Sequence, residues 1–264
     1  VKLKMRISDP FIEVSKMAEI PYELVPKNYE IIGKSMLIKF KKDYPFDKIR
    51  LANAFKEVFK LHAVYEIIDI EGPLRIVNVN LLSGEKVIEQ HVENGIIYSL
   101  DPSKIMFSKG NKYERWRVGQ IVKKGQIVVD MFAGIGYYSI PASRLAKEVH
   151  AIEINPESFH YLLINRYLNN SFNIIPYQMD CRDFPYENFA DITLLGHFES
   201  LNFIEKAIEI AKNNSFLLIH TVERRGSELP EIFREYNLKV TSRRIVKSYS
   251  PSTFHYVYET IIFK

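Results

Sequence analysis

The stretch "VVDMFAGIGYYSIPASRLAKEVHAIEINPE", Val128 to Glu157, decides the fold. An apolar run closes on Asp130, glycines follow at Gly134 and Gly136, and a second apolar run carries Glu153 at its end. Asn155-Pro156-Glu157 then opens a helix, because Asn caps, Pro suits the first helical position and Glu favours the positive helix end. Working outward, strands are expected at 127–130, 149–154, 173–180, 191–195 and 216–221, with helices starting near Tyr137, Pro156 and Leu201. Such alternation implies a doubly wound, mostly parallel α/β sheet with helices on both faces. The runs "LKVTSRRIVKSYS" and "TFHYVYETIIF", around Ser250-Pro251, read as an antiparallel pair added at the sheet edge.

Upstream the period changes. To about Ser99, short strands such as "LRIVNVNLL" (74–82) and "EKVIEQHVE" (85–93) are parted by turn signals at Glu71-Gly72-Pro73 and Ser83-Gly84. One helix is expected there, capped by Asp47, with Ile49, Leu51, Ala52, Phe55, Val58 and Phe59 as its apolar stripe. A second helix, capped by Asn111, is expected to end near Gly125. The expected organisation is a small α+β domain over 1–100 and a catalytic domain over 101–264.

Composition narrows the class. The net charge of +4 permits a polyanionic partner without requiring one. No apolar run approaches the ~20 residues of a membrane span and no signal segment opens the chain, so a soluble, cytoplasmic protein is expected. The single cysteine, Cys181, excludes an internal disulfide and a cysteine-based zinc cage. The seven histidines show no ligand spacing, so no metal is expected.

In a doubly wound sheet, ligands sit beyond the carboxyl ends of the strands, where a glycine turn and a helix N-terminus meet. Ala133-Gly134-Ile135-Gly136 occupies that corner, and Glu153 stands where a ribose-binding acid is needed. A nicotinamide dinucleotide requires a third glycine, yet Ser139 holds that position, which disfavours an oxidoreductase. Asp130, Glu153 and Asp180 end three successive strands, and three such acids suit S-adenosylmethionine, with its amine, ribose and adenine amino group. Taken singly, each acid reads more readily as a cap or turn residue, and it is their joint placement that favours the ligand. Phe132 and Ile154, beside the corner and Glu153, complete the expected lining.

"DMFAGIGYYSIP", together with "HVENGIIYSLDPSKIMFSKGNKYERWR" and "RRIVKSYSPSTFHYVYE", resembles the archaeal and eukaryotic family that modifies the base at position 37 of tRNA(Phe) and related tRNAs. The resemblance runs from about Lys27 to the end and implies a Rossmann-like class I methyltransferase fold. One branch methylates N1 of guanine-37. The other transfers the 3-amino-3-carboxypropyl group of S-adenosylmethionine to 4-demethylwyosine in wybutosine synthesis. The methyltransferase branch carries F-S-P-R-L and, after the fourth strand, N-L-P or N-P-P, whereas this chain has "FSKGN" at 107–111 and "TLLGHFES" at 193–200. Tyr137 also replaces a proline frequent after the glycine corner, and there is little room before Pro21 for the extra N-terminal module of many methyltransferases. The resemblance therefore implies aminocarboxypropyl transfer, with methyl transfer as the alternative.

Orientation selects the product, because any carbon on the sulfonium reacts if it is held in line at ~3–3.5 Å. The groups gripping the amino acid end are the selector, and Ser108 and Arg115 are expected to supply that grip. Glu153 is expected to hold the ribose, and Asp180 with Cys181 the adenine. In the resemblance, Glu114 stands where the methyltransferases keep a general base; its other reading is an ion-pair partner. Cys181 is rejected as a nucleophile, and His197 reads either as lining the base pocket or as structural.

The expected partner is the anticodon loop of tRNA(Phe). Candidate phosphate contacts are Lys104, Lys109, Lys112, Arg115, Arg117, Arg224, Arg225, Arg243, Arg244 and Lys247, with Tyr249 or Phe198 stacking on a flipped base. A monomer is expected. A non-catalytic tRNA-binding protein retaining a relic donor pocket is the alternative from another class.

Overall fold

A computed structural model describes residues 9–72, 76–227 and 229–264. The chain divides into two compact units, 1–92 with 98–108 and 93–97 with 109–264. Pro73, Leu74 and Arg75, part of an expected turn and strand, lie outside the described residues.

The first unit opens with α1 (Pro10–Ala18), which the sequence reading lacks. Its signature is nonetheless local: Asp9 accepts the Phe11 N–H at 3.0 Å and Pro10 takes the first turn. Strands β1 (Tyr29–Ile32) and β2 (Ser35–Ile38) form a hairpin, and α2 (Lys48–Phe59) crosses to β3 (Ala63–Glu71), parallel to β2. β4 (Ile76–Gly84) completes a sheet of order β1-β2-β3-β4. Asp47 caps α2 as expected, accepting from Ile49 and Arg50 at 2.8 and 3.2 Å. Leu51, Ala52 and Phe55 are buried with Val14, Met36, Ile38 and Val64. Ile49 is a correction: it is 58% exposed, because it stands about 200° round the helix from Leu51. In the expected strand 85–93, only β5 (Glu89–Glu93) is extended, and it leads through Asn94-Gly95, both at positive φ, into β6 (Ile96–Leu100).

The second unit contains the long sheet. It begins with α3 (Lys112–Ile121), which ends well before Gly125 because Val122 is already extended. Asn111 stands at the N-cap of α3 as expected, but its side chain makes no cap bond, and it also closes a 3₁₀ turn at Lys109–Asn111. There follow β7 (Ile127–Asp130), the short α4 (Ser139–Ser143), β8 (Glu148–Glu153), α5 (Pro156–Leu168) and β9 (Ile174–Gln178). Next come β10 (Ala190–Leu195), α6 (Ile204–Ile210), β11 (Ala211–Arg224), α7 (Leu229–Glu235), β12 (Leu238–Ser250) and β13 (Thr253–Ile262).

The strand order is β12-β13-β11-β10-β7-β8-β9. Pairs among β9, β8, β7, β10 and β11 are parallel, while β13 runs antiparallel to both β11 and β12. The expected mostly parallel α/β sheet with an antiparallel edge pair is the fold observed. The later strand, β13, takes the inner place. The chain leaves β7 one way, through β8 and β9, and returns on its other side at β10, and this reversal places a ligand crevice at the carboxyl ends.

Alternation gives the sheet two unlike faces. One carries Val129, Leu195, Leu217, Ile219 and Tyr258, packed with Ile204, Ala207 and Ile210 of α6. The strand register places Asp130, Leu218, His220, His255 and Glu259 on the other. Asn155 starts α5 as expected, accepting from Glu157 and Ser158 at 2.9 and 3.4 Å. Asn155→Ala should therefore cost ~1 kcal/mol of stability, read as a lower urea midpoint at unchanged slope.

Candidate donor site at the glycine corner

The corner is built by backbone bonds between neighbouring strands. Beyond β7, Met131 N–H donates to the Leu194 carbonyl at 3.0 Å and Ala133 N–H to that of Ile152 at 2.9 Å. Gly134 and Gly136 have φ of +56° and +98°, which side chains disfavour. A Cβ at Gly134 would stand 2.6 Å from the Tyr137 ring, and one at Gly136 2.7 Å from Ile140.

Glu153 closes the corner. Its Oε2 accepts the Gly134 N–H at 2.7 Å and its Oε1 the Asn155 N–H at 2.7 Å. A carboxylate offers about four acceptor sites, so a vicinal diol can still be bound while the two backbone bonds fix its direction. Burial pushes the Glu153 pKa up, against the backbone bonds. Ile154 beside it is 49% exposed and Phe132 is half-buried, which leaves apolar surface flanking the acid. These features fit a ribose carried by a flat apolar base.

Asp130 faces inward. It is fully buried, its Oδ2 accepts from Ser139 Oγ at 2.7 Å and its Oδ1 from Phe132 N–H at 3.3 Å. Burial, with the Glu153 charge adding to it, raises its pKa to about 7. Ser139, which breaks the dinucleotide motif, is thus the residue that holds the acid beneath the corner. Asp180 accepts from Arg182 N–H, Nε and Nη2 at 2.9, 3.0 and 2.5 Å, and the Arg182 bond holds its pKa down. Cys181 is buried and its thiol is pushed up to about 12, so it stays protonated at neutral pH.

The remaining expected residues are engaged by partners within the chain. Arg115 is 2% exposed, and its fork closes on Glu93, Nε to Oε1 at 2.6 Å and Nη2 to Oε2 at 2.9 Å. The carboxylate it grips in this structure belongs to the chain itself. Glu114 is equally buried, both its oxygens accepting from Arg244 Nη2 at 3.1 and 2.9 Å. Arg244 also donates to Glu259 at 2.6 Å, and Arg117 pairs with Glu259, so two acids and two bases balance within this network. Of the candidate phosphate contacts, Arg115, Arg117 and Arg244 therefore spend their charge inward, a correction. Ser108 belongs to the first unit, where Phe107 beside it is buried against Tyr98 and His91 at 5.2 and 4.8 Å. His197 stacks on Phe132 at 5.2 Å and 28°.

Sequence reasoning did not find Glu93, Ser139, Arg244 or Glu259 as partners. Only Ser139 carried a signal, as the residue in place of a glycine. Among the described residues there is no group of acids, histidines or cysteines that could hold a metal, and no helix long and apolar enough to cross a membrane.

Residues 89–241 match the family described as the TRM5/TYW2 methyltransferase domain. A Pyrococcus horikoshii protein named tRNA(Phe) (4-demethylwyosine(37)-C(7)) aminocarboxypropyltransferase is 37% identical over 261 residues, covering 93% of this chain and 94% of its own length. The Pyrococcus abyssi tRNA (guanine(37)-N(1))-methyltransferase Trm5b is 29% identical over 255 residues, covering 91% and 77%. The solved structure of P. horikoshii TYW2 in complex with MeSAdo superposes with a TM-score of 0.84 at 34% identity, covering 96% of this chain and 99% of its own.

The raised pKa of Asp130 has a signed consequence. Its folded value lies above its ordinary 3.8, so the folded state binds the extra proton, and stability falls as pH rises from about 4 through about 7. Asp130→Asn should flatten that part of the stability–pH curve, measured by urea unfolding between those limits.

Proposed function

This chain belongs to the TRM5/TYW2 family, and we propose that within it the chain is an aminocarboxypropyltransferase of wybutosine synthesis. It transfers the 3-amino-3-carboxypropyl group of S-adenosylmethionine to 4-demethylwyosine at position 37 of tRNA(Phe). The observation that carries this reading is the near end-to-end match to the P. horikoshii aminocarboxypropyltransferase, against a lower identity and a shorter share of the methyltransferase. The segments 107–111 and 193–200, which lack the methyltransferase motifs, point the same way. The anticodon loop is the proposed contact on the tRNA, and the cytoplasm the proposed compartment.

S-adenosylmethionine supplies a sulfonium whose attached carbons are open to displacement, so the work of this chain is to bind and aim. Glu153 takes the ribose hydroxyls with the acceptor capacity its two backbone bonds leave over. Gly134 and Gly136 keep the corner free of side chains, while Phe132 and Ile154 offer apolar faces to the adenine. Asp180 and Cys181 are the proposed neighbours of its amino edge. Asp130, through Ser139 and Phe132, holds the corner in shape from below. Ser108 is assigned to the amino acid end. Arg115 contributes through Glu93: the buried pair fixes the first turn of α3, and losing one member would leave a buried charge at ~3–5 kcal/mol. Glu114 fixes the same helix through Arg244.

Donor labelled separately in its methyl and carboxyl carbons tests the product. Carboxyl label should enter the tRNA, and entry of methyl label alone would establish methyl transfer. Glu153→Ala should weaken donor binding by about tenfold or more while leaving the tRNA Kd within about twofold, since a charged hydrogen bond acceptor to the ligand is lost. Calorimetry with donor and with tRNA separately reads both, and no binding of donor by the unaltered chain would favour a relic pocket.

A further inference from the structure

A buried histidine pair lies outside the donor site. His220 Nδ1 and His255 Nε2 lie 2.9 Å apart on the polar face of the sheet, with the two residues 1% and 0% exposed. A single proton shared across that contact satisfies both nitrogens. Burial, then the neighbouring His255, Arg244 and Arg117, holds the His220 pKa well below the usual imidazole range, so its ring is neutral.

Each ring supports an aromatic. Tyr138 lies against His220 with centroids 5.2 Å apart, and Phe198 stands edge-on to His255 at 5.0 Å and 81°. These two aromatics bracket the segment that leaves β10. A Cβ on Gly196 would stand 2.8 Å from the Tyr138 ring, Phe198 follows two residues on, and Glu199 bridges to Thr221, next to His220. Phe198 also meets Tyr249 at 6.1 Å and 85°, and Tyr249 is 48% exposed with the Lys247 ammonium 4.8 Å from its ring centre. The hydrogen bond between the imidazoles ties their ring orientations together across β11 and β13. The His255 ring that meets Phe198 is thereby held in one orientation by the strand pairing rather than left to rotate freely about χ2.

We propose that the His220–His255 pair is a positioning element for the acceptor base, holding Phe198 and through it Tyr249 as an aromatic edge on which an unstacked tricyclic purine-derived base rests. Lys247 faces the backbone phosphate of that nucleotide. The proposal rests on the reading of the chain as a tRNA-modifying transferase whose acceptor approaches the carboxyl end of β10. It assigns the pair no contact with the reacting atoms.

The test compares His255→Gln, whose amide reaches near the Nε2 position, with His255→Asn, which falls short of it. Steady-state transfer is measured with tRNA and donor varied separately, beside donor calorimetry and thermal melting. His255→Asn should lower kcat/KM for tRNA about tenfold with donor Kd within about twofold, and His255→Gln should stay within about threefold of the unaltered chain. Phe198→Leu should give the same tRNA defect, and the double variant Phe198→Leu with His255→Asn should be no worse than either alone. Additive losses, an unchanged kcat/KM in His255→Asn, or donor affinity falling in step with tRNA affinity would overturn the proposal. Should His255→Asn not fold, His220→Ala makes the same break from the other ring. Rates are read with both donor labels, so a methyl product overturns the functional reading yet leaves the comparison of variants interpretable.

Discussion

The hydrogen bond from the Gly134 N–H to Glu153 is the constraint on which the donor site depends. It joins the turn after one strand to the acid at the end of the next, so the corner and the carboxylate move as one body. Positive φ at Gly134 turns its N–H toward that carboxylate, and the second oxygen of Glu153 draws in Asn155, which in turn caps α5. A single acid thus organises a turn, a strand end and a helix start. Beneath it, the protonated or ionised state of Asp130 is felt directly, because Ser139 and Phe132 belong to the same corner.

The second organising feature is the charged layer on the opposite sheet face to the apolar core. Glu114 and Arg117 project from α3, and Arg244 and Glu259 from β12 and β13. Buried ion pairs add little net stability over well-packed apolar groups, but an unmatched member is costly, so such a layer specifies which helix docks where. Arg115 on the same helix repeats the device with Glu93. Three charges within one turn of α3 are spent on its own placement.

How much of this was legible follows from sequence separation. The glycine corner, Glu153 and the Asn155 cap are local patterns, and they were readable because spacing alone carries them. α1 opens on Asp9-Pro10 as α5 opens on Asn155-Pro156, a cap followed by proline, and could have been read. Arg115 meets Glu93 at 22 residues' separation and Glu114 meets Arg244 at 130, and no pattern along the chain announces such pairs. An arginine fork suited to a carboxylate was a sound chemical reading, but the carboxylate came from within the chain. The His220–His255 contact, 35 residues apart, arises only because β13 pairs with β11 in one particular register. Ile49 failed for a simpler reason, that angular position on a helix outranks residue type.

The inner position of β13 constrains how the molecule can assemble. β12 precedes β13 in the chain yet, among the described residues, pairs with no strand other than β13, so it joins the sheet only through β13. β12 can be added as a hairpin with β13 or after β13 has paired with β11, and on either route the pairing of β11 with β13 closes a loop that contains β12 before its contacts repay the lost entropy. In the finished sheet the β12–β13 pair covers the flank of β11, which would otherwise be a template for another chain's strand.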